Sequence, residues 1–279
     1  IDQTSGNTVV VSPSAPTTYV VYGSNASGCI VADSITVGPG DIANIQADTF
    51  GIGDVVTAEI FVIDDLDREY SYGYGRIAGQ SLDSLRKGNN TLYYGFFTIN
   101  EGDPQFGYND IISVDSLRLD FNSVQSSYFS STNITGSIID SEPPVINYMQ
   151  APDGLKKVGD FIDIIVSADD EGYKINRQRS FINNLPATDP DISFISLGNG
   201  VYIFRYIVGE GDNDVLIEGN FTSQLVLEDL ANNSNSPFTR INSNNLRIDA
   251  NSPVITAITV NDSLYIPGEI VEILIVADG

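Results

Sequence analysis

The side chains in this sequence best suited to chemistry are carboxylates. Asp64, Asp65 and Asp67 precede Glu101 and Asp103, and Asp169, Asp170 and Glu171 precede Glu210, Asp212 and Asp214. Asp140 and Asp249 stand apart from these groups, each a few residues before a proline. Carboxylates gathered at loop ends suit a hard cation, because calcium takes about six to eight oxygen ligands. Calcium is therefore the expected cofactor, with Asp64, Asp65, Glu101, Asp103, Asp140, Asp169, Asp170, Glu210, Asp212, Asp214 and Asp249 as its ligands. The same acids also read as solvated turn residues, and the sequence leaves both readings open. No twelve-residue EF-hand loop fits them.

Catalysis finds little support. Histidine is absent, which removes the commonest general base and the usual serine triad. The single cysteine, Cys29, consequently has no histidine to activate it and no partner for an intrachain disulfide. Paired acids could serve a glycosidase, but acids that recur along the chain look like architecture, and tryptophan for stacking on sugars is absent. No catalytic residue is expected. With 37 acidic against 13 basic residues the net charge is −24. Such a surface repels phosphates, so nucleic acid is not an expected partner.

The recurrence of the acids is itself a pattern. "IIDSEPPVI" at 138–146 and "RIDANSPVI" at 247–255 place Asp140 and Asp249 109 residues apart, and Pro144 and Pro253 likewise. "YYGFFTINEGD" and "YIFRYIVGEGD" align at the same offset, pairing Tyr93 with Tyr202 and Asp103 with Asp212. "VGDFIDIIVSAD" and "PGEIVEILIVAD" do so again, pairing Asp169 with Asp278, and "IGDVVTAEIFVIDD" at 52–65 is a fainter copy. A period of this length exceeds a solenoid unit and matches a small domain. The expected boundaries are 1–39 for the end of one domain, 40–141 and 142–250 for two full repeats, and 251–279 for the start of another. On this reading the chain is an excerpt of a longer protein.

The elements that must position the acids are strands. Short runs rich in Val, Ile, Tyr, Phe and Thr are bounded by Gly, Asn, Asp and Pro. In the second repeat these are "VINYM", "DFIDIIVSA", "ISFISL", "VYIFRYIVG", "SQLVLED" and "NNLRID". In "VYIFRYIV", Tyr202, Phe204 and Tyr206 share one face, and Val201, Ile203, Arg205 and Ile207 the other. Which of the two faces solvent is open. About seven strands per repeat predict an all-β chain of tandem immunoglobulin-like β-sandwiches. A short helix is expected at "SLDSLRK" (81–87), capped by Ser81 with Leu82 and Leu85 inward. Proline fixes its own φ and restrains the preceding residue, so the Asp140 and Asp249 stretches predict short, stiff joints between domains.

"SPSAPTTYVVYGSNASGCIVADSITV" (12–37) resembles the end of immunoglobulin-like repeats in secreted Bacteroidota proteins, through Thr17, Thr18, Tyr19, Gly28, Cys29 and Asp33 to Ile35. The long repeats resemble bacterial surface immunoglobulin-like modules, in which a D-x-A-G-N turn precedes the last strands. Asp229, Ala231 and Asn233 match that turn, with Asn232 in place of glycine, and the first repeat keeps only Asp120 and Asn122. The resemblance implies a large exported cell-surface protein: a gliding-type adhesin, a filament or a coat component. It also implies O-glycosylation within Asp-Ser-hydrophobic triplets, at Ser34, Ser84, Ser116 and Ser263. Sequons at Asn25, Asn133 and Asn220 add a weaker signal. The expected partners are neighbouring domains of the same chain, other copies in a filament or lattice, and surface glycans or proteins.

Overall fold

The computed structural model describes residues 17–24, 28, 30–37, 43–62, 68–89, 91–126, 129, 136–216, 220–242, 245–261 and 263–278. Contacts divide the chain into two compact units, Ile1–Glu142 and Pro143–Gly279.

The first unit opens with a hairpin, β1 (Thr17–Ser24) against β2 (Ile30–Val37), paired from Thr17↔Val37 to Ser24↔Ile30. A sandwich follows, made of β3 (Ala43–Ile45), β4 (Thr49–Phe50), β5 (Val55–Phe61), β6 (Ser71–Ile77), β7 (Ser84–Lys87), β8 (Leu92–Thr98), β9 (Val114–Phe121), β10 (Val124–Gln125) and β11 (Ile138–Ile139). One sheet runs β3-β5-β8-β7 and the other β10-β9-β6, while β4 pairs parallel with β11. Alternation decides the core: Val56, Ala58 and Ile60 from β5 and Tyr93 and Phe97 from β8 are buried against Leu117 and Leu119 from β9.

Residues 81–87 correct the expected helix. Ser84–Lys87 form the edge strand β7, paired antiparallel with β8 from Ser84↔Phe96 to Lys87↔Tyr93. Two interactions favour the extended form over a helical turn. The Asp83 carboxylate accepts from the backbone N–H and the hydroxyl of Thr98 at 2.9 and 2.8 Å, and Asp83 N–H donates to Phe96 O at 2.7 Å. Leu82 is buried all the same.

The second unit builds the same order from β12 (Ile146–Gln150), β13 (Gly154–Lys157), β14 (Phe161–Ala168), β15 (Lys174–Ile175), β16 (Phe181–Ile182), β17 (Leu185–Pro186), β18 (Ile192–Gly198), β19 (Val201–Ile207), β20 (Ser223–Gln224), β21 (Leu227–Glu228), β22 (Ile241–Asn242) and β23 (Leu246–Asp249). One sheet runs β18-β19-β14-β12-β22. Opposite it lie the β15-β21 and β17-β16-β20 pairings, and β13 runs parallel to β23. Asn199 and Gly200, at φ 51° and 71°, close the two-residue turn from β18 to β19 in the left-handed conformation that suits the strands' twist. Tyr202, Phe204 and Tyr206 point into the core, so the face left open by the alternation is settled. Arg205 on the outer face forks onto Asp163 of β14 at 2.6 and 2.8 Å, and its guanidinium lies 4.8 Å from the Phe161 ring centre.

In both sandwiches the first and third strands share one sheet with the two strands of the central hairpin, while the second strand, β4 or β13, pairs parallel with the last strand of the sandwich, β11 or β23. That order is the immunoglobulin-like one. The chain is all-β, a tandem of immunoglobulin-like β-sandwiches. A final hairpin, β24 (Ile255–Val260) against β25 (Ile273–Ala277), completes the second unit.

Candidate functional site

The acids of the repeat are turn-formers, and each turn holds a stretch of joint. In the first unit Asn100 N–H donates to Asp103 Oδ2 at 2.7 Å, and in the second Gly209 N–H donates to Asp212 Oδ2 at 2.6 Å. The residue before each aspartate, Gly102 or Gly211, sits at φ 83° or 82°, where a side chain is disfavoured. Its N–H reaches the outgoing chain: Gly102 to Ser141 O at 3.1 Å, Gly211 to Ala250 O at 2.8 Å. Both ladders continue through paired backbone bonds, Phe106 with Ile139 and Val215 with Ile248. The hydrogen bonds therefore repeat at the same 109-residue interval as the letters.

The far side of each joint is fastened in the same way. Asp169 Oδ1 accepts from Val145 N–H at 2.9 Å while Asp169 N–H donates to Val145 O at 3.0 Å. Asp278 and Val254 exchange the same two bonds. The second joint carries extra clasps. Glu210 accepts from the N–H and hydroxyl of Ser252 at 2.9 and 2.6 Å, and Asp214 from Ala250 N–H and Asn251 Nδ2 at 2.7 and 2.9 Å. The Ser252 bonds hold the Glu210 carboxyl below its ordinary pKa. In the first joint the Ser141 hydroxyl donates to Asp103 O at 2.5 Å. Asp140 and Asp249 each accept from the N–H two residues on, Glu142 at 3.2 Å and Asn251 at 3.4 Å. Asp170 accepts from Glu171 N–H at 2.8 Å, and Glu101 is exposed in its turn. Asp64 and Asp65 lie outside the described residues, as does Cys29.

Among the described residues no three Asp, Glu or Cys side chains gather as a metal site. Asp103, Asp169, Asp170, Asp212, Asp214 and Glu210 each turn an oxygen toward an N–H donor, while Glu101 is exposed in its turn.

Two tyrosines, aligned in the sequence as Tyr93 and Tyr202, bind the loops beside the acids. Tyr202 hydroxyl donates to Asp170 O at 3.1 Å and accepts from Tyr173 N–H at 3.1 Å. Tyr93 hydroxyl donates to Arg68 O at 2.8 Å and accepts from Tyr70 N–H at 3.2 Å. Sequence reading missed this role, although their alignment signalled it. A third buried tyrosine, Tyr206, donates to Asp212 Oδ2 at 2.6 Å. Burial, and then that carboxylate, push its hydroxyl above the ordinary tyrosine range.

The D-x-A-x-N turn holds together through Asp229. Its Oδ1 accepts from Ala231 N–H at 2.8 Å and Asn233 N–H at 2.9 Å, and its Oδ2 from Asn233 Nδ2 at 2.9 Å. Asn232 sits at φ 64°, a left-handed position that asparagine tolerates. The serines of the triplets are scattered: Ser34 on β2, Ser84 on β7, Ser116 on β9 at φ 50°, and Ser263 between β24 and β25, all exposed. Asn220 is exposed, and Asn25 and Asn133 lie outside the described residues.

No protein-family model matches the chain, and no curated protein matches it. Among solved structures it is similar to the tandem Ig repeats of Dlar at 13% identity, covering 74% of this chain and 95% of that one, with a TM-score of 0.22. A structure of three titin Ig domains gives 10% identity, 78% and 66% coverage, and a TM-score of 0.34. The Bacteroides ovatus mixed-linkage glucan utilization locus protein SGBP-B, in complex with a mixed-linkage heptasaccharide, gives 11%, 91% and 60%, and 0.20. At these values the strand order of this chain, rather than any likeness, carries the fold.

Proposed function

We propose that the chain is part of the non-catalytic repeat region of a large extracellular bacterial surface protein, the stalk of an adhesin. One observation supports this most: both ends of each joint are fastened by the same repeated hydrogen bonds. Three residues, Glu142, Pro143 and Pro144, separate Ser141 from Val145, and three, Asn251, Ser252 and Pro253, separate Ala250 from Val254. Proline in each stretch fixes its own φ and restrains the residue before it. Repetition of such beads supplies reach, and weak contacts to surface glycans or proteins can sum to avidity. The exposed serines at 34, 84, 116 and 263 suit O-glycosylation, which mass spectrometry of the protein from its native surface would detect.

Sedimentation velocity on residues 40–250, expressed alone, tests the reading. A monomer with the frictional ratio of an extended two-bead rod is expected. A frictional ratio near that of a sphere would mean that the beads fold onto one another, and the stalk would be abandoned.

A further inference from the structure

Asparagine followed by glycine occurs once in the sequence, at Asn199–Gly200, and the pair forms the two-residue turn between β18 and β19. Glycine leaves its backbone nitrogen unhindered, because no Cβ stands beside it. In an unfolded chain that nitrogen closes a ring on the asparagine side chain. Gly200 N bonds to Asn199 Cγ and passes its proton to solvent, while the Cγ–Nδ2 bond breaks and ammonia leaves. Water then opens the succinimide at either carbonyl. Opening at Cγ leaves aspartate. Opening at the main-chain carbonyl leaves isoaspartate, in which the chain runs on through Cγ.

The folded turn blocks the first step. Ring closure needs Gly200 N on the same side of the Asn199 Cα–C bond as Cβ, within attacking distance of Cγ. Asn199 sits at φ 51°, in the left-handed region where ψ is about +30 to +60°, and that places Gly200 N on the opposite side. The turn is anchored there. Gly198 pairs with Val201, Ala168 N–H donates to Gly200 O at 2.8 Å, and Asn199 N–H donates to Glu171 Oε2 at 3.2 Å. Gly200 lies so close to the end of β14 that an added Cβ would stand 2.6 Å from Ala168 O. The Asn199 side chain itself is exposed, so water is at hand once the turn opens.

Two other turns lack this combination. Asn183 and Asn184 close the β16–β17 turn at φ 49° and 65°, but there the second residue carries a side chain. The hairpin of the first unit, β7 to β8, closes with Gly88 N–H on Leu92 O at 2.8 Å and contains no asparagine before a glycine.

We propose that Asn199 is a modification site masked by the fold. It deamidates only while the β18–β19 hairpin is open, and the isoaspartate then keeps the second sandwich from re-forming. Isoaspartate adds a backbone carbon to a turn with no room for a Cβ, and it sets a new carboxylate beside Glu171. The first sandwich carries no such pair, so the change disables one unit and spares the other. None of this depends on the chain being a stalk, so the sedimentation result leaves it standing.

The test incubates the full chain at mildly alkaline pH, with and without enough urea to unfold both sandwiches, and maps its peptides by mass spectrometry. In urea, ammonia loss and isoaspartate should appear first at 199–200 and later, if at all, at 183–184. The native chain should lag at least about tenfold, because reaction waits for an opened hairpin. After dilution from urea, calorimetry should find the transition of the first unit restored and that of the second reduced in step with the isoaspartate fraction. Asn199→Asp brings the charge without the extra backbone carbon and tolerates the left-handed position, so it should refold with both transitions. Equal rates with and without urea overturn the proposal, and so does an isoaspartyl chain that regains its second transition.

Discussion

Replacing Tyr202 by phenylalanine isolates the tyrosine clasp from the packing around it. The ring lies 4.9 Å from Phe194 and 6.5 Å from Tyr173 between centres, and those contacts survive the change. What goes is the hydroxyl, and with it the partner of Asp170 O and Tyr173 N–H. Asp170 is exposed and Tyr173 half-buried, so water can partly replace the hydroxyl, and the loss is that of an ordinary intramolecular hydrogen bond, about 1 kcal/mol. In a domain of about 100 residues that lowers the melting temperature by roughly 4–8 °C. Differential scanning calorimetry on the whole chain reads this directly, because the two sandwiches have separate cores. The transition of the second unit should move and that of the first should stay. Tyr93→Phe should do the reverse and by less, since Lys87 Nζ also donates to Arg68 O. A Tyr202→Phe shift below about 2 °C, or equal movement of both transitions, would refute the reasoning.

Gly200→Ala should destabilise the second unit by roughly 1–2 kcal/mol or more, from left-handed strain alone. A Cβ there would also stand 2.6 Å from Ala168 O, and urea denaturation measures the loss. Arg205 hydrogen bonds hold the Asp163 carboxyl below its ordinary 3.8 against the opposing push of burial. The stability from that pair is present above pH 3.8 and fades as pH falls through the lowered value, so Arg205→Met should flatten that part of the acid limb. Tyr206 behaves oppositely: its contribution is full below pH 10.0 and declines as pH rises toward its raised value. Ultraviolet titration of phenolate should show late-titrating tyrosines, Tyr173, Tyr202 and Tyr206 among them, of which Asp212→Asn brings one forward. The melting temperature in calcium and in excess chelator should agree. A rise in calcium would show that the turn carboxylates yield their N–H donors to an ion.

Much of this was legible in the letters because a tandem repeat compares a sequence with itself. The pairs Asp103/Asp212 and Asp169/Asp278 reappear as equivalent hydrogen bonds, and the alternation of "VYIFRYIV" gave the buried face once Arg205 was seen to pair across strands with Asp163. What the carboxylates face was not legible. A cluster of aspartates looks alike in sequence whether its oxygens turn to a cation or to backbone N–H groups two or three residues away. Residues 81–87 misled for a related reason: the Leu82–Leu85 spacing suits a helix, but a non-local bond from Thr98 to Asp83 and the pairing partner β8 outweigh local propensity. The tyrosine clasps depend on contacts 23 to 32 residues away in sequence, beyond the reach of any local pattern.

The sheet-switching strands carry a consequence under tension. In each sandwich the strand near the entry of the chain runs parallel to the strand at its exit: β4 with β11, β13 with β23. Pulling entry and exit apart therefore drags the two strands past one another lengthwise, loading the bonds between them together instead of opening them one at a time. The first unit holds this seam over two residue pairs and the second over four. A chain under tension would yield first at Thr49–Phe50, leaving the second sandwich folded as the first lengthens and absorbs the load.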